Sequence, residues 1–63
     1  MNTYLRDRKG QLLGWTKPSG NLLYTFNHRG EMLGWFDQLK NVTFNRRGER
    51  FGTGNQVARL LSD

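Results

Sequence analysis

Tyr24-Thr25-Phe26-Asn27-His28-Arg29-Gly30-Glu31-Met32-Leu33-Gly34-Trp35 decides how this chain folds. Its centre spells a turn. The short Asn27 side chain can cap the backbone two residues on, and Gly30 can take a positive φ without a Cβ clash. On either side Tyr, Thr, Phe, Met, Leu and Trp suit a pleated strand. The stretch reads as a β-hairpin whose type I turn ends in a left-handed, bulged glycine.

The same text recurs. Tyr4-Leu5-Arg6-Asp7-Arg8-Lys9-Gly10-Gln11-Leu12-Leu13-Gly14-Trp15 precedes it, and Val42-Thr43-Phe44-Asn45-Arg46-Arg47-Gly48-Glu49-Arg50-Phe51-Gly52-Thr53 follows. Gly10, Gly30 and Gly48 are 20 and 18 residues apart, and Gly14, Gly34 and Gly52 follow them at a constant offset. A period near 20 marks a repeated supersecondary unit. Hairpins are expected over residues 3–16, 22–37 and 41–54. Lys17-Pro18-Ser19-Gly20-Asn21 reads as the turn between the first two, and Asp37-Gln38-Leu39-Lys40-Asn41 as a loose connection. Beyond Gly54, Asn55 can cap a short helix within residues 55–62, from Gln56 to Leu61, with Val57, Leu60 and Leu61 on one stripe.

Counting outward from Asn27 opposite Glu31 sets Phe26 against Met32, Thr25 against Leu33, Tyr24 against Gly34 and Leu23 against Trp35. Directly opposed residues share a face. One face then carries Leu23, Thr25, Leu33 and Trp35, and the other Tyr24, Phe26, Met32 and Gly34. The first hairpin repeats this with Leu5, Leu13 and Trp15 against Tyr4, Leu12 and Gly14. Neither face is polar, so both demand burial. Tyr4 over Gly14 and Tyr24 over Gly34 fit an aromatic ring covering a bare strand glycine. A bend or a close backbone approach is the other reading of these glycines. The expected fold is all-β: three hairpin repeats, arranged radially or as a small curved sheet, plus a short C-terminal helix, in a single domain over residues 1–63.

Two-sided hairpins in a short repeat resemble the small bacterial and phage proteins called β-flowers. The residues that carry the resemblance are Tyr24-Thr25-Phe26-Asn27-His28-Arg29-Gly30 followed by Leu33-Gly34-Trp35-Phe36, and it covers residues 3–53. The stretch is also similar to the YD repeats of RHS-type shell proteins, which form long arrays, whereas this chain has 63 residues. The β-flower resemblance implies hairpins set radially, and four of them where this chain has three. The helix or a second subunit would then fill the missing place. Arg6 stands where the other copies have Phe, and Thr53 where they have Trp. The resemblance implies no enzymatic activity.

With 35% hydrophobic residues in 63, the core must be thin. A chain of this size buries only about 60% of the surface it exposes when unfolded. It has no cysteine, which excludes disulfides and thiolate metal sites, and one histidine, His28, cannot build a zinc site alone. Self-association, a bound partner or close packing must supply the stability, and a homo-oligomer is expected. No apolar run is long enough to cross a membrane as a helix. Met1-Asn2-Thr3-Tyr4 lacks the apolar core of a signal peptide, so the cytoplasm is the expected compartment. The sequon Asn41-Val42-Thr43 carries no weight there.

Ten Lys+Arg against five Asp+Glu give a net charge of +5 and a pI near 10.5. This favours a polyanionic partner, whether nucleic acid, an acidic protein surface or anionic lipid, without selecting among them, and nucleic acid or an acidic protein surface is the partner expected. The three turns hold Arg8-Lys9, His28-Arg29 and Arg46-Arg47. If the hairpins are related by rotation, these tips share one end of the molecule. The expected polyanion site is Arg8, Lys9, Arg29, Arg46 and Arg47, with His28 assisting. Trp15 and Trp35 read first as packing anchors and second as stacking platforms for unpaired bases. Asp7, Glu31, Asp37, Glu49 and Asp63 form no catalytic pair, and Glu31 and Glu49 are expected to pair with nearby arginines. Gly52-Thr53-Gly54 lacks the phosphate-loop signature, and Ser19 and Ser62 have no base at useful spacing. An enzyme is not expected, nor a cofactor. The competing reading is a protein-interaction or assembly module, such as a phage or mobile-element product that blocks a host protein. Its surface would be Leu5, Leu12, Met32, Leu39 and Leu61.

Overall fold

The computed structural model describes residues 2–62; Met1, and Asp63 among the carboxylates considered above, lie outside them. Strands β1 (Thr3–Arg6), β2 (Leu12–Ser19), β3 (Leu22–Asn27), β4 (Met32–Asp37), β5 (Val42–Asn45) and β6 (Arg50–Thr53) pair antiparallel in chain order through one open sheet. Helix α1 (Val57–Ser62) follows. The three hairpins therefore lie edge to edge in a single sheet.

Each hairpin tip is built the same way. The Asn27 N–H donates to the Glu31 carbonyl and the Gly30 N–H to the Asn27 carbonyl, at 2.9 and 3.0 Å. Asn27 Oδ1 accepts from the N–H groups of Arg29 and Glu31. Asp7 and Asn45 repeat these bonds in the outer hairpins. Gly10, Gly30 and Gly48 hold φ of 81°, 85° and 82°, in the left-handed region that a side chain disfavours. The turn expected from the sequence is the turn observed.

The register beyond the tips is not the one counted from the sequence. Phe26 faces Met32 as expected, but Thr25 faces Gly34 and Tyr24 faces Trp35. Leu33 is an extra, bulged residue, so every later residue of β4 moves to the other face. The outer hairpins show the same shift, with Leu13 and Phe51 as the extra residues. In two of the hairpins the extra residue meets the helix side of the sheet: Leu33 and Phe51 line one cleft with Leu60, whereas Leu13 is exposed. The faces are thus corrected. Tyr24, Trp35, Phe26 and Met32 share one, and Thr25 and Gly34 share the other with Leu23 and Phe36. Tyr4 and Tyr24 oppose Trp15 and Trp35, and do not cover glycines. Close approach is what the strand glycines serve. A Cβ on Gly34 would fall on the Phe44 carbonyl oxygen and 3.0 Å from Leu60 Cδ1, and one on Gly14 would sit 2.7 Å from Leu61 Cδ2.

Helix α1 lies on that glycine and threonine face, packed against β3 and β4. Val57 and Leu60 are its buried hydrophobic residues, as their stripe suggested. Asn55 Oδ1 accepts from the Val57 N–H, the expected cap. Thr43, fully buried, pins the start of the helix: its hydroxyl donates to the Gly54 carbonyl at 2.8 Å and accepts from the Gln56 N–H at 2.9 Å.

The far end of the sheet corrects two further expectations. β2 runs through Pro18 to Ser19, and only Gly20 and Asn21 form the turn. Pro18 is tolerated because the paired part of β1 ends at Thr3 opposite Thr16, so no bond there needs its missing N–H. The connection from Asp37 to Asn41 is tightly held. Buried Asp37 Oδ1 accepts from Asn21 Nδ2 and from the N–H groups of Leu39 and Lys40. The Gln38 N–H donates to the Asn21 carbonyl, which joins the two turns.

Candidate nucleic-acid interface

An antiparallel sheet in chain order places its odd-numbered connections at one end. The tips after β1, β3 and β5 therefore share a rim. With strands about 4.8 Å apart, equivalent atoms of neighbouring tips stand roughly 10 Å apart. Residues separated by 20 and 18 positions in the chain thus become neighbours.

The rim concentrates charge. Residues 6–11, 27–31 and 45–50 hold seven of the ten Lys+Arg and three of the five Asp+Glu, so this end carries four of the net five positive charges. Arg8, Lys9, His28, Arg29, Arg46 and Arg47 are all exposed. Among the described residues their side chains make no hydrogen bond and no ion pair. Two neighbouring arginines are committed instead: Arg6 Nη1 donates to the Gly10 carbonyl and Arg50 Nη2 to Thr53 Oγ1.

The expected pairing of Glu31 and Glu49 with arginine is corrected. Glu31 Oε1 accepts from Asn27 Nδ2 at 2.8 Å, and Glu49 Oε1 from Asn45 Nδ2 at 3.0 Å. Each carboxylate lies across its own turn, against the amide that a two-residue turn puts within reach. In the first tip the acid, Asp7, is the turn cap itself. Each tip so spends its one carboxylate on holding the turn and leaves its cations unpaired.

Trp15 and Trp35 lie on the face opposite the helix. Each is half-buried and stands in a row of rings. Tyr4, Trp15 and Phe26 form one row, with ring centres 6.2 and 5.8 Å apart; Tyr24, Trp35 and Phe44 form the other, at 6.3 and 5.9 Å. The rows are packing in the first instance, and the sequence reading missed them because the bulge at Leu33 hides the register that aligns the rings. The outer edge of each indole reaches the rim: Trp15 Cη2 comes within 3.8 Å of a Cβ position on Gly30, and Trp35 Cη2 within 3.9 Å of one on Gly48.

The apolar residues of the competing reading do not gather into one patch. Leu5 opposes Gly14 on the helix face and Leu61 packs there too, whereas Leu12 and Met32 lie on the aromatic face. Leu39, 84% exposed, sits in a turn at the far end. Among the described residues no helix is long and apolar enough to cross a membrane. No family model matches the chain, and neither a curated protein nor a solved structure matches it.

Proposed function

We propose that this chain is a non-enzymatic binding module that contacts nucleic acid through the rim of its hairpin tips. The observation that carries the reading is the exposed, uncommitted state of Arg8, Lys9, Arg29, Arg46 and Arg47 at one end of the sheet. An arginine held by a carboxylate must give up that partner before it meets a phosphate; these five need give up nothing. Their backbones are held by hydrogen-bonded turns, so contact orders the side chains and not the loops. Guanidinium groups present a fork suited to phosphate oxygens, and His28 adds a ring N–H donor beside them. Contacts of this kind position the ligand without reading its sequence. The resemblance of the repeat to β-flowers adds no activity to this reading, and the apolar residues named for the protein-blocking alternative are divided between the two faces and a far turn.

Fluorescence anisotropy with a labelled oligonucleotide at several salt concentrations tests it. Five phosphate contacts predict a slope of about −4 to −5 for log K against log salt on duplex DNA. Arg29→Gln should flatten that slope by about one. Affinity that stays level between low and high salt rules the reading out.

A further inference from the structure

We propose that the aromatic face of the sheet receives the bases of a single strand whose phosphates lie on the rim. This rests on the rim reading above and names its ligand class: unpaired nucleic acid. Helix α1 covers the glycine and threonine face, and no described element covers the other. That open face carries six of the eight aromatic side chains, in the two rows described. Tyr4, at the outer end of its row, is 59% exposed, and Trp15 is its one ring neighbour among the described residues. The indoles run up to the tips, so apolar rings and unpaired cations form one continuous surface.

Charge decides what the face accepts. Lys17 opposes Tyr24, Arg6 opposes Leu12 and Arg50 opposes Phe44, while Lys40 Nζ lies 5.8 Å from the Phe44 ring centre. Asp37 is the one carboxylate in these rows among the described residues, and it is buried and hydrogen-bonded. A second copy of the chain docked on this face would set four cations against four, with no exposed carboxylate between them. An acidic partner with flat apolar groups meets no such repulsion. Unpaired nucleic acid has both: bases have a π-face whatever their identity, and aromatic platforms beside basic grooves take them without sequence preference. A duplex has its bases already stacked, and can use the rim alone.

Two probes separate the possibilities: a fifteen-residue oligothymidylate and a duplex of about the same length. Trp15 and Trp35 are the only tryptophans, so intrinsic fluorescence reports on this face directly. The single strand is expected to quench it and the duplex to leave it unchanged. Tyr4→Ala should weaken single-strand binding about five- to tenfold and spare duplex binding, and Tyr4→Phe should restore it. Lys17→Glu, at an exposed strand position, should weaken the single strand as well. Equal affinity for the two probes, with no quenching and no effect of Tyr4→Ala, overturns the inference while the salt-dependent rim stands. Light scattering that finds a dimer dissolved by Tyr4→Ala also overturns it, by giving the face to a second copy. Quenching and Tyr4 dependence that survive Arg29→Gln without a change in salt slope uphold the face and count against the rim.

Discussion

Trp35 ends over Gly48, the turn glycine of the next hairpin, with Cη2 3.9 Å from where a Cβ would stand; Trp15 has the same relation to Gly30. Each hairpin so covers the turn of its successor. Gly10, in the first described hairpin, has nothing within 4 Å at that position. After Thr53 helix α1 follows, and among the described residues no further hairpin tip lies beyond it. Trp35→Ala should destabilise the fold by about 2–3 kcal/mol, at the low end of aromatic truncations because the ring is half-buried. Thr53→Trp should gain nothing, since the new ring would find no turn. Urea unfolding of both variants checks the pair; a stabilised Thr53→Trp would break the argument.

Gly34→Ala should cost more than Gly10→Ala, although only Gly10 has a positive φ. At Gly10 the added methyl meets open space and pays the left-handed backbone cost, about 1–2 kcal/mol. At Gly34 it meets the Phe44 carbonyl, Asn45 Cα and Leu60 Cδ1, of which only the leucine can move. The overpacking should exceed 2 kcal/mol, within the usual range of about 1–3 or beyond it, and should lift the helix from the sheet. Hydrogen exchange at the Leu60 amide should accelerate in Gly34→Ala and stay unchanged in Gly10→Ala.

Thr25 and Thr43 occupy the same repeat position and are both fully buried, yet only Thr43 has hydrogen-bond partners. Thr25 Oγ1 has none. A buried hydroxyl without a partner costs free energy, and replacing it by a methyl of the same shape removes that cost. Thr25→Val is expected to be neutral or stabilising by up to about 1 kcal/mol. Thr43→Val strands the Gln56 N–H and the Gly54 carbonyl, and should cost about 1–3 kcal/mol. Thermal unfolding should fall to a lower temperature in Thr43→Val and stay level or rise in Thr25→Val.

The repeat, the three tips and the helix were legible because each rests on local chemistry: an Asp or Asn cap, a glycine at positive φ, an Asn before an apolar stripe. The shared rim was expected from a rotation of the hairpins; it arises here because a chain-order meander puts alternate turns at one end. The faces were not legible. Their register depends on the bulges at Leu13, Leu33 and Phe51, and at two of these, Leu33 and Phe51, the extra residue shares a cleft with Leu60 of the helix, a relation between distant parts of the chain. The roles of Glu31 and Glu49 were hidden for a different reason. Charge alone favoured nearby arginines, whereas the turn fixes an amide closer. Asp37 looked like part of a loose linker because its partner Asn21 lies 16 residues away.

Asp37 carries the last expectation. Its Oδ1 accepts three hydrogen bonds in a buried position, two from the turn that follows and one from the turn before β3. Asp37→Ala leaves those donors with no acceptor where water has limited access, so about 2–3 kcal/mol should be lost. Asp7 also accepts two backbone N–H bonds, from Lys9 and Gln11, but at an exposed tip. There water replaces the carboxylate, and Asp7→Ala should cost about 1 kcal/mol or less. Urea midpoints of the two variants measure the difference. Equal losses would mean that the far end of the sheet is as open to solvent as the tips, and that the Asn21–Asp37 bond does not hold the two turns together.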